Sequence, residues 1–132
     1  MEIKIDLNFK IKTIFSMTEN ILILRNTIEK DDENLYLFFS DYFKVKTETD
    51  IKNINENYDI INIKDIKITD EIKSRARYIW IESSEDAVII DENTVQGNMK
   101  KFYAKTFLIH AQHKERERPP FFKHYCFLRN IF

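Results

Sequence analysis

Residues 2–12 read EIKIDLNFKIK, and the reading of this stretch decides the expected fold. Ile3, Ile5, Leu7, Phe9 and Ile11 alternate with Glu2, Lys4, Asp6, Asn8, Lys10 and Lys12. Period two marks a strand with one buried and one wet face, because successive side chains point to opposite sides. Half-wet strands of this kind belong to antiparallel sheets. The phase changes at Ile14-Phe15, where the strand is expected to bend or end.

Working outward, residues 16–29 fit two templates. Ser16 and Glu19 match a capping box, and Met17, Ile21, Leu24 and Ile28 share a helical face. Ile21-Leu22-Ile23-Leu24 also makes a buried-strand run. A second strand paired with the first is preferred, since sequential strands commonly neighbour each other. Asp31-Asp32-Glu33 places negative charge where a helix dipole favours it, ahead of Leu35, Phe38, Phe39, Tyr42 and Phe43 at helical spacing. A short helix is predicted there. Val45 to Thr47 begins another extended piece. Residues 50–57, DIKNINEN, are polar and read as a loop.

Ile60, Ile61, Ile63, Ile66 and Ile68 place one or two strands within residues 58–69. Residues 77–91 are predicted as a hairpin. Tyr78 to Ile81 runs out, Ser83 to Asp86 turns, and Ala87 to Ile90 returns. Beyond Asn93, Met99, Phe102, Tyr103, Thr106 and His110 share a helical face, although residues 102–111 also fit a strand. Pro119-Pro120 interrupts any helix, and Phe121, Tyr125, Leu128 and Phe132 would share the face of a following one. The expected fold is α+β: a single domain over residues 1–132, mainly antiparallel sheet with a mid-chain helix and a helical, basic C-terminal segment.

Composition removes several function classes. A chain of 132 residues fits one domain. No run approaches the ~18 consecutive apolar residues of a membrane span, so no membrane partner is expected. The charged, alternating N-terminus is not that of a signal peptide. Cys126 is the single cysteine, which excludes an internal disulfide and agrees with a reducing, intracellular and cytoplasmic setting. Gly97 is the single glycine, which excludes Gly-rich phosphate loops and dinucleotide fingerprints. No cofactor is expected. The chain has 21 Ile against 3 Val and 4 Ala, 15 Lys against 6 Arg, and 11 Asn, a bias toward A/T-rich codons that points to a low-GC genome.

Charge divides the chain. Residues 1–92 hold 13 basic and 20 acidic groups, a net −7, whereas residues 93–132 hold 8 basic and 2 acidic groups, a net +6. The basic part is also rich in aromatic residues. Lys100, Lys101, Lys105, Arg116 and Arg118 are the candidate contacts to an anionic partner, since basic groups attract phosphates and aromatic faces stack on unpaired bases. The competing reading has the aromatics filling a core and the basic segment docking on its own acidic body. A whole-chain pI of ≈ 6.3 favours that second reading, because dedicated nucleic-acid binders lie above ~9.

His110 and His113 are three apart, so a helix would bring them to one face, and His124 or Cys126 would supply a third metal ligand. The spacing matches no standard zinc finger. Surface or capping histidines are the preferred reading, and no metal site is assigned. The stretch 110–118, HAQHKERER, has the groups of a metal-independent ribonuclease, but a solvated helix end is the preferred reading. Cys126, between Tyr125 and Phe127, reads as a small core residue. No catalytic residue is assigned. The apolar end, CFLRNIF, either packs inward or forms an oligomer or partner surface.

These features lead to an expected function: a small intracellular, non-enzymatic protein-binding module, of the kind found among phage, viral or immunity-type accessory and inhibitor proteins. The alternative is a nucleic-acid-binding protein using the basic aromatic segment. A third reading is a small His-dependent nuclease or metal enzyme.

Overall fold

Six strands carry the architecture of the computed structural model, which describes residues 6–108. In chain order they are β1 (Asn20–Leu24), β2 (Lys44–Glu48), β3 (Tyr58–Ile63), β4 (Ala76–Glu82), β5 (Val88–Asp91) and β6 (Thr94–Gly97). The α-helices are α1 (Leu7–Ser16), α2 (Lys30–Ser40), α3 (Asp70–Arg75) and α4 (Met99–Tyr103), with a π-helical turn over Ala104–Leu108. Across the sheet the strands lie in the order β2-β1-β3-β4-β6-β5. Every neighbouring pair is parallel except β5 with β6.

The described residues therefore form one α+β domain, but its sheet is mostly parallel and not mainly antiparallel. The reason lies in runs such as Ile21-Leu22-Ile23-Leu24 and Ile60-Ile61, which are buried on both faces. A parallel strand covered on both sides reads as a continuous apolar run, whereas a half-wet strand alternates. Parallel neighbours also need crossovers. Residues 25–43, with α2, and residues 64–75, with α3, supply two of them.

Residues 7–12, expected in the first strand, are helical. Leu7, Ile11, Ile14 and Phe15 fall at i, i+4, i+7 and i+8, and the last three are buried. The change of phase at Ile14-Phe15 is thus the helical face itself. Asp6 caps the helix, its carboxylate accepting the Asn8 N–H at 3.3 Å. Phe9, apolar on the alternating pattern, is 67% exposed. With no strand there, β1 pairs with β2 and β3 instead. The strand over residues 20–24, the helix from the acidic triplet onward and the extended piece at 45–47 all form as expected.

The expected hairpin over residues 77–91 does not form. Its two strands exist, but β6 lies between them, parallel to β4 and antiparallel to β5. The tight turn is one step later, at Glu92-Asn93, where the Asp91 carboxylate accepts the Asn93 N–H at 2.9 Å. The register of β5 on β6 then shifts between Ile89 and Asp91, leaving Ile90 as the extra residue.

Two apolar clusters flank the sheet. On the first face, α1, α2 and α4 pack Ile11, Phe15, Leu35, Phe39, Met99 and Tyr103 over Ile21, Ile23, Ile60, Trp80 and Val95. On the second face, Leu22, Leu24, Ile61, Ile63 and Ile79 meet Ile72 of α3 and loop residues such as Ile54. Among the described residues, the six-residue α3 is the one α-helix that contributes to this second cluster. No described helix is long and apolar enough to cross a membrane.

Candidate functional site

In open α/β sheets, ligands favour the carboxyl ends of the strands where the strand order reverses. Here that point lies between β1 and β3, and two polar residues meet there: Arg25 directly after β1 and Asn62 one residue before the end of β3. Arg25 is 2% exposed and Asn62 0% exposed. The guanidinium donates from Nε to Asp32 Oδ1 at 2.7 Å, and from Nη1 to the Leu24 and Asn62 carbonyls at 3.0 and 2.9 Å. Its Nη2 donates to Asn62 Oδ1 at 2.8 Å. The second Asp32 oxygen accepts the Glu29 N–H at 2.9 Å and closes the capping box of α2. Asn62 Nδ2 donates to Glu82 Oε1 at 3.0 Å. The network thus ties together the ends of β1, β3 and β4 and the start of α2.

Burial raises the Glu82 carboxyl above its ordinary pKa; hydrogen bonds from Asn62 and the Met99 N–H, and the nearby Arg25 and Lys64 charges, pull the other way. The loops beyond are joined as well. Asn26 Nδ2 donates to the Asp65 carbonyl at 3.1 Å, and Asp65 has φ 57°, a left-handed conformation that aspartate tolerates better than most residues. The polar groups at this end answer one another, and a buried charge needs such partners.

A different chemistry appears at β5. Val88 and Ile90 are 50% and 51% exposed at the edge of the sheet. Val88 stands opposite Gln96, and Gln96 opposite Ile81, so these three side chains share the second face. At the other end of the same strands, Ile79 and Thr94 line a groove of about 370 Å³ with Lys73, Ala76, Arg77, Asp91, Glu92 and Asn93. Acidic residues bracket the strand: Glu85 and Asp86 precede it, Asp91 and Glu92 end it, and all four are exposed. Asp86 accepts from Lys101 at 3.2 Å; among the described residues the other three make no ion pair.

The opposite edge is built otherwise. Strand β2 exposes Lys44, Lys46 and Thr47, with Lys46 Nζ donating to the Glu56 carboxylate. Charged edge strands resist pairing with other chains.

Of the residues singled out from sequence, Lys100, Lys101 and Lys105 are exposed on α4 and the turn after it. Lys100 Nζ lies 5.1 Å from the Phe38 ring centroid, and Lys101 holds Asp86, so both engage groups of their own domain. Arg116, Arg118, His110 and His113 lie outside the described residues. Among the described residues, no group of three His, Cys, Asp or Glu side chains is placed to hold a metal. The exposed pair Val88 and Ile90 was not foreseen, because the all-apolar run Ala87-Val88-Ile89-Ile90 has no alternation to say which of its residues face solvent. The usable signal was the run EDAVIIDE at 85–92, an apolar tetrad between two acidic pairs. Comparison with protein-family models, with curated proteins and with solved structures returned no match.

Proposed function

We propose that this protein is a small, non-enzymatic protein-binding module that docks its partner on the outer surface of β5. The observation that carries the reading is the contrast between the two sheet edges. One presents lysines to solvent, while the other presents Val88 and Ile90, each half exposed. An apolar surface with a polar rim is the usual mark of an interaction site. Covering the exposed halves of these two side chains is worth about 2 kcal/mol, since full burial of one contributes roughly 1.5–3 kcal/mol. That difference corresponds to roughly 30-fold in affinity.

A random-peptide display library panned on the protein tests this. Selected peptides are expected to bind the V88S/I90S variant at least about tenfold more weakly. The variant itself should lose no more than about 2 kcal/mol of folding stability, because only half of each side chain is buried. Peptides that bind parent and variant equally would overturn the proposal.

A further inference from the structure

We infer that the segment docked on β5 is apolar at its centre and basic at both ends, and belongs to a different protein rather than to a second copy of this chain. The inference rests on docking at β5 and deepens it. Glu85 and Asp86 stand at one end of the apolar residues, Asp91 and Glu92 at the other, and three of the four carboxylates make no ion pair among the described residues. Lys or Arg at both ends of a bound segment would meet them, and complementary charge speeds encounter and rejects wrong partners.

A second copy fits poorly for the same reason. Two copies of β5 related by a two-fold axis through its middle would set Glu85 and Asp86 of one against Asp91 and Glu92 of the other. Like charges placed opposite each other destabilise a strand pair. The irregularity at Ile90 adds a second constraint, because a bulge breaks the regular ladder an added strand would need. The partner therefore engages Val88 and Ile90 mainly through side chains.

Three synthetic peptides test the inference on the full chain. They share a Val-Thr-Ile-Thr-Val centre and end in Lys-Lys, Ser-Ser or Glu-Glu on both sides. Titration at low salt is expected to rank them Lys, Ser, Glu, with about tenfold between the first and last. The spread should collapse at 0.5 M salt, where exposed charges are screened, and in the E85Q/D91N/E92Q variant, whose amides keep the Asp91 turn bond. Three equal affinities, all lost in V88S/I90S, would overturn the basic-flanked partner and leave docking at β5 standing. Binding by none of the three would overturn both. A protein that is dimeric by light scattering and becomes monomeric as V88S/I90S would show a second copy on this surface and overturn the inference. So would a photo-cross-link from position 88 to residues 109–132 of the same chain in the monomer.

Discussion

Arg25 takes a full charge into a site that is almost closed to water, and it is tolerated because Asp32, Asn62 and two carbonyls receive its N–H groups. Glu82 sits at the outer end of the same network with a raised pKa. A carboxyl that holds its proton more tightly in the folded chain adds stability below its unfolded pKa, and that stability is lost as pH rises through the folded pKa. Glu82→Gln keeps the oxygen that accepts from Asn62 and removes the charge. The variant should be more stable than the parent at pH 7 in urea denaturation, with the gap closing as pH falls through the raised Glu82 pKa and gone by about pH 4. A gap that widens toward acid would reverse the sign of the argument. None of this was legible in the sequence. Arg25, Asn62 and Glu82 are separated by long intervals, and each follows or ends an apolar run, so only the parallel register brings them side by side.

At the scale of elements, local pattern served unevenly. Helix α2 was legible because acid at its start and aromatics at 3.6-residue spacing agree. Helix α1 was not, because charged residues between Ile3 and Ile11 satisfy period two as well as period 3.6 over so short a stretch. The β5–β6 hairpin was misplaced by one strand because Ser83-Ser84-Glu85-Asp86 looks like a turn and β6 is only four residues long. Gly97 ends that strand with φ 155°, and a Cβ there would come within 2.5 Å of the Ala87 Cα. Its carbonyl also accepts from Trp80 Nε1 at 2.9 Å and from the Ser83 N–H at 3.0 Å. Gly97→Ala must push the β4–β5 connection off the end of β6. A loss of about 3 kcal/mol, or roughly 10 °C in Tm, is expected in a thermal scan. A loss under about 0.5 kcal/mol would show that the connection yields freely.

For the whole molecule, the first face is joined by aromatic rings. The Phe15 ring of α1 lies 6.2 Å from Phe39 and 6.0 Å from Phe43, 4.9 Å from Tyr103, 5.9 Å from Phe107 and 5.9 Å from Trp80 on the sheet. One side chain thus touches three helical segments and a strand. Phe15→Ala should cost about 3–5 kcal/mol, read from the urea midpoint. A loss near 1 kcal/mol would mean that the cluster closes over the gap. Sequence did indicate an apolar interior and a single α+β domain, because those depend on amounts of apolar residue and on strand-like runs. The order of strands depends on which runs are covered from both sides, and that is decided only once all the helices are in place.

The position of β6 has a consequence for how the chain matures. A ribosome releases residues 76–82 and 88–91 before residues 94–97, yet the last piece must end up between the first two. Edge-by-edge accretion in order of synthesis is therefore closed to this sheet. Either residues 88–97 fold back on themselves and arrive as a finished pair, or the earlier segment waits beside an empty lane until its neighbour is made.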